Sequence, residues 1–134
     1  MAQNTRWKKR IQVLNFIYSD VVANHATDKN IVIKQAFEVN NFDHDQIKVL
    51  EYYYDHYAEL EQKIIKRLKP TWPYQRINTL TKAIILSSLS EYYAINTNLA
   101  IVVDQALKTC DHRGLVRDKK FINAILDGII KDEK

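Results

Sequence analysis

Glycine and proline are scarce in this chain, with two of each in 134 residues. Strand-rich folds draw on both at their many turns, and loops that cradle phosphate need glycine, so both become improbable. The single cysteine, Cys110, cannot form an internal disulfide and suits a reducing compartment. No run of 18 apolar residues exists, and Met1–Ala2–Gln3–Asn4–Thr5 has no apolar signal core, so a cytoplasmic protein with no membrane partner is expected. What is present is a globular composition, 46% hydrophobic and 27% charged. A chain this long makes one domain and buries roughly two-thirds of its unfolded surface.

Positive charge is placed unevenly. The chain has 20 Lys and Arg against 16 Asp and Glu. Arg6, Lys8, Lys9 and Arg10 supply four of the positives, and no acid precedes Asp20. Without them the remainder balances, 16 against 16, so the excess sits in the first ten residues. A basic stripe on a balanced chain reads as a local anion contact.

Apolar residues recur at helical spacing almost throughout, and no alternating strand pattern is convincing. Ile11, Leu14, Tyr18 and Val21 predict a first helix over about Asn4–Ala23. Thr27 or Asp28 can cap a short second helix holding Ile31, Val32, Ala36 and Phe37. Asp43 and Gln46 form a capping-box pattern opening the longest helix, to about Lys69. Its stripe is Ile47, Leu50, Tyr54, Tyr57, Glu61, Ile64 and Leu68, with Glu61 the only polar interruption. Pro70 and Pro73 then break the chain around Trp72. Ala83–Ile84–Ile85–Leu86, apolar on all sides, predicts a central helix whose next turn is kept slim by Ser87, Ser88 and Ser90. Leu99, Val102, Val103, Ala106, Leu107 and Cys110 stripe a fifth helix ended by Gly114, and Asp118 can cap the last. The expectation is an all-α bundle of six or seven helices. It forms one domain over 1–134, with helical subdomains 1–70 and 76–134.

Catalytic signals are weak. His25, His44, His56 and His112 are dispersed, and Cys110-x-His112 supplies only two of the ligands a zinc site needs, so no metal or cofactor is expected. Cys110 completes an apolar stripe and reads as a packed core thiol. Asp43–His44–Asp45 is explained as a cap with acids in the first turn. Among Tyr52, Tyr53, Tyr54 and Tyr57, the stripe assigns Tyr54 and Tyr57 to packing and leaves Tyr52 open as a stacking residue.

The basic group has more to explain. On a helix Arg6, Lys9 and Arg10 share a face, with Lys8 to one side. Cations at a helix amino end oppose its dipole by about 0.3–1 kcal/mol each when exposed. An anionic partner offsets that cost, and phosphate is the natural one. Trp7 could stack a base, but its spacing to Ile11 and Leu14 favours packing on the core.

Arg6–Trp7–Lys8–Lys9–Arg10 through Tyr18 resembles the arginine-rich first helix of the transcription antitermination factor NusB family, R-R-x-A-R-x-x-A-(L/V)-Q-A-L-Y. Trp72-x-x-x-Arg76-Ile77, then Lys82–Ala83–Ile84–Ile85–Leu86 and Glu91–Tyr92, resemble that family's W-x-x-x-R-(I/L) and (D/E)-(K/R)-A-(I/V)-L-R-x-(A/G)-x-(Y/F)-E. Val103–Asp104–Gln105–Ala106 stands for I-N-E-A, and Gly114 followed by Lys120–Phe121–Ile122–Asn123–Ala124–Ile125–Leu126–Asp127 stands for G and K-F-V-N-G-(V/I)-L-D. Correspondence is weak from Asn24 to Lys69. Thr81, Ala124 and Val116–Arg117 depart from the pattern.

The resemblance implies a seven-helix NusB fold in two helical subdomains and a non-enzymatic role. It implies that the chain, with ribosomal protein NusE, binds single-stranded boxA-like RNA. The complex would join an RNA polymerase elongation complex through Nus factors and support ribosomal RNA transcription. Carried over by position, Arg6, Lys8, Arg10 and Tyr18 are RNA-binding candidates, joined by Lys9 from the basic run and by Phe121 and Asn123 on the last helix. Four phosphate contacts by the basic group would give a log–log salt slope of about −2.8. The alternative is a module of the same fold that binds a protein and no RNA.

Overall fold

The computed structural model describes residues 2–133, and these form six α-helices with no strand. The helices are α1 (Ala2–Val22), α2 (Lys29–Glu38), α3 (His44–Lys66), α4 (Thr79–Ile95), α5 (Leu99–His112) and α6 (Lys119–Asp132). Single 3-10 turns at Tyr74–Arg76 and Val116–Asp118 precede α4 and α6. The seventh helix implied by the resemblance is absent among the described residues as an α-helix.

Short polar side chains start the helices. Asp28, the second of the two expected caps, accepts from the amide of Ile31 at 3.1 Å. Asp43 accepts from the amide of Gln46 at 2.9 Å, while Gln46 accepts from the amide of Asp43 at 3.0 Å. This reciprocal pair is the capping box that the sequence predicts. Asn78 and Asn98 do the same work for α4 and α5, each through Oδ1. Asp118 does not. It sits in right-handed helical geometry at the end of a 3-10 turn and caps nothing. Its carboxylate instead accepts from Thr81 Oγ1 at 2.6 Å, tying the start of α6 to the start of α4.

Helix ends are equally local. Gly114 takes a φ of +73° just past α5, and the amide of Leu115 reaches back to the carbonyl of Cys110 at 2.9 Å. α3 stops at Lys66, three residues earlier than predicted, with Arg67 closing it before Pro70.

One core joins the elements on both sides of the Pro70–Pro73 joint. Ile17, Leu50, Leu60 and Ile64 meet Ile85, Leu86, Leu89, Ile122, Leu126 and Ile130, all buried. α4 lies at the centre, packing against α1, α3, α5 and α6. Ala83, Ile84, Ile85 and Leu86 are buried all round as predicted. The α3 stripe is displaced: Val49, Leu50, Tyr53, Leu60 and Ile64 are buried, whereas Ile47, Tyr54 and Tyr57 are half-buried. α3 is pressed by α1, α2 and α4 at once, so no single 3-4 row describes its buried face. Among the described residues no helix is long and apolar enough to cross a membrane.

Candidate nucleic-acid interface

The amino end of α1 lies over the ends of α3, α4 and α5, where an open cleft of about 740 Å³ forms. Arg6, Lys9 and Arg10 all line it, as their shared face requires, but their side chains behave differently. Arg6 and Lys8 are exposed and have no ion pair among the described residues. Lys9 Nζ lies 2.8 Å from Asp43 Oδ2, in a pair whose side chains are 43% and 42% exposed. Burial works to raise the Asp43 carboxyl, but the Lys9 ammonium and the Gln46 amide outweigh it and hold the group below its usual range.

Arg10 turns inward. Its Nε lies 2.9 Å from Glu91 Oε1 and 3.2 Å from Oε2, Nη2 lies 3.1 Å from Oε2, and Nη1 is 3.5 Å from Gln105 Oε1. The Glu91 side chain is only 12% exposed. The guanidinium therefore clasps α1 to α4 and α5 in a forked, charge-assisted contact. Inside the cleft the basic groups are matched by Asp43, Asp45, Glu91 and Asp104. Arg6, at the edge of the cleft, and Lys8, on the solvent side of α1, are the cations of the basic group left without an ion pair among the described residues.

Trp7 is half-buried against α5. Its ring lies 4.5 Å from that of His112, and Lys108 Nζ sits 4.8 Å above it. The indole nitrogen is buried without a partner among the described residues. The hydroxyl-bearing ring of Tyr18 is 38% exposed, about 18 Å along α1 from Arg6. Phe121 is half-buried against the core and Asn123 is exposed on α6. No hydrogen bond, ion pair or ring contact joins these two to the basic group among the described residues.

The other chemical candidates are separated by the fold. Cys110 is fully buried, and burial, followed by the charges of Asp118 and Asp111, pushes its thiol up to about 11. His112 faces Trp7 instead. Tyr52 stacks within the protein, its ring 4.0 Å from that of His56 and 5.8 Å from that of Tyr93. Among the described residues no group of three His, Cys, Asp or Glu is placed to hold a metal ion.

Sequence reasoning missed a buried polar network behind α1. Asp20 is completely buried. It accepts from Tyr53 OH at 2.5 Å and from the Thr27 hydroxyl and amide, and His25 Nδ1 lies 3.0 Å away. The other imidazole nitrogen lies 3.2 Å from Glu61 Oε2, which also accepts from Tyr74 OH at 2.7 Å. Tyr57 stacks on His25 at 4.0 Å. Burial works to raise the Asp20 carboxyl, but the bonds from Thr27, Tyr53 and His25 win and hold it low. Burial first, and then the neighbouring carboxylates, push the Tyr53 and Tyr74 hydroxyls up. The sequence carries a signal for this network: Glu61 interrupts an apolar stripe, and buried carboxylates need partners.

The fold and this surface define a class: an all-helical protein whose first helix carries exposed cations near its amino end. The NusB family model matches residues 8–131, and the chain belongs to the NusB family. It is similar to a transcription antitermination protein NusB of Nitratiruptor sp., 29% identical over 80 residues covering 60% of this chain and 57% of that one. It is also similar to an uncharacterized protein of Mycoplasma genitalium, 28% identical over 145 residues covering 94% and 92% of the two chains. A solved structure described as a conserved hypothetical protein from Mycoplasma genitalium with structural homology to NusB proteins superposes with a TM-score of 0.70. That match has 22% identity, over 86% of this chain and 91% of that one.

Proposed function

We propose that this chain is a transcription antitermination factor that holds single-stranded boxA-like RNA, together with ribosomal protein NusE, and makes or breaks no bond. The observation that carries the reading is the outer lip of α1. Arg6 and Lys8 stand exposed, with no ion pair among the described residues, at a helix end that has no acid in its first turn. Lys9 adds a third charge, because a pair as exposed as Lys9–Asp43 is worth about 0–1 kcal/mol and exchanges readily for phosphate. Arg10 serves the site from behind by fixing α1. Membership of a family with antitermination proteins supports the role, and the RNA polymerase complex would be reached through NusE and other Nus factors.

This geometry alters the salt dependence. Three phosphate contacts in place of four give a log–log slope of about −2.1 for single-stranded RNA. Three contacts bind modestly, so a second protein that extends the RNA surface is physically sensible. The test is affinity for a boxA-like RNA over a salt series, with and without NusE. A slope near −2.1, tighter binding with NusE, and a loss on Arg6→Ala/Lys8→Ala are expected. Affinity indifferent to salt and to both substitutions would refute the reading and favour a module that binds only protein.

A further inference from the structure

A second concentration of positive charge lies at the far end of α3. Between Glu61 and Glu91 the chain carries Lys63, Lys66, Arg67, Lys69, Arg76 and Lys82 and no acid. Three of these are occupied. Lys63 pairs with Glu133 at 2.6 Å, Arg67 pairs with Asp132, and Lys82 Nζ sits 4.5 Å over the Tyr74 ring. Lys66, Lys69 and Arg76 are exposed and have no ion pair among the described residues. Trp72 stands among them, 53% exposed.

The backbone holds that indole outward. Pro70 and Pro73 fix their own φ, and the amide of Trp72 bonds the carbonyl of Lys69 at 2.9 Å. The amide of Arg76 bonds the carbonyl of Pro73 at 3.0 Å. Beyond the turn, Tyr74 is anchored on Glu61 and Ile77 is buried. The helix dipole accounts for Lys63 and Lys66 in the last turn of α3. It does not account for Arg76, nor for a large aromatic ring left half exposed within six positions of three exposed cations.

We propose that the α3–α4 joint is a second contact for single-stranded RNA, with Trp72 stacking on an unpaired base while Lys66, Lys69 and Arg76 hold the flanking phosphates. Aromatic platforms bordered by cations bind single strands with little regard to sequence, because every base has a π-face. Trp and Arg also suit protein interfaces, but lysine is depleted there, and a run of cations with no acid between Glu61 and Glu91 favours a polyanion. The site is distinct from the lip of α1. Lys9 meets Asp43 at the amino end of α3, and α3 rises about 35 Å over its 23 residues before the joint begins. At about 3.4 Å per stacked nucleotide, an RNA touching both ends needs roughly ten nucleotides.

Trp7→Phe leaves Trp72 as the single tryptophan and makes it a reporter. Titration of this full-length variant with single-stranded pyrimidine RNA of 5 and 15 nucleotides is expected to quench its emission, less so as salt rises. In the otherwise unaltered chain Trp72→Ala should weaken 15-mer binding by about 5- to 100-fold, and Lys69→Glu/Arg76→Glu should do the same with the indole intact. Arg6→Ala/Lys8→Ala, added to Trp7→Phe, should leave quenching by the 5-mer in place, so failure of the α1 reading and failure of this one are separable. No quenching at low salt, or 15-mer affinity unchanged by Trp72→Ala and by the charge reversals, overturns the proposal. Quenching by an acidic peptide and not by RNA would overturn it too, in favour of a protein dock.

Discussion

Arg10 is turned inward because α1 places it one turn before Val13 and Leu14, which are buried, whereas Lys8 falls on the opposite, solvent side. Charges two residues apart therefore do different work. Arg10→Ala strands the nearly buried Glu91 carboxylate and should cost about 2–3 kcal/mol, a fall in melting temperature of roughly 10 °C. Arg6→Ala/Lys8→Ala touches no packed group and should leave melting within about 2 °C of the unaltered protein. Thermal unfolding of the two variants separates them. Asp20 behaves as a buried acid with its donors in place. Its carboxyl is held below 3.8, so the stability it contributes is full above about pH 4 and is lost as pH falls through the folded value. Unfolding free energy measured between pH 7 and pH 2 should decline on the acid side. Asp20→Asn should be less stable at pH 7 and show a shallower decline. Cys110 gives a kinetic counterpart. With its thiol at about 11 and no exposed surface, alkylation at pH 8 should be at least about 100-fold slower in the folded protein than in denaturant.

At the scale of elements, the start of α3 links stability to the proposed RNA contact. Asp43 caps the helix and also neutralises Lys9. Asp43→Asn keeps a good cap and removes the charge, so stability should stay within about 0.5 kcal/mol while RNA affinity rises about twofold. Asp43→Ala loses the cap as well and should cost about 1 kcal/mol, with the same gain in affinity. Chemical denaturation and an RNA titration on both variants read the two effects apart. The capping box is legible in the sequence alone, because it needs only Asp43 and Gln46 three residues apart. So are the central α4, the Gly114 stop and the break at Pro70–Pro73, each set by local backbone chemistry or by periodicity. The rest depends on long-range contact. The α3 stripe shifts to Tyr53 because Asp20, 33 positions away, offers that hydroxyl a partner. The capping role expected of Asp118 gives way to a bond with Thr81, 37 positions away. Arg10 stands among the RNA candidates by position alone, and only its contact with Glu91, 81 residues distant, sets its direction.

Across the whole molecule, one core fastens six helices and leaves cations at two separated ends. Several of the acids that balance the total charge are held in ion pairs, among them Asp43, Glu91, Asp132 and Glu133. Net charge alone therefore does not describe the exposed cations Arg6 and Lys8, on which the proposed RNA contact rests. Ultraviolet crosslinking of the protein to cellular RNA, followed by mapping of the attached residues and the transcripts, addresses that surface directly. Attachment within α1, on ribosomal RNA leader sequence and reduced by Arg6→Ala/Lys8→Ala, is the predicted result. Crosslinks that leave α1 untouched, or that survive the double substitution at full strength, would contradict the claim that the first helix holds the RNA.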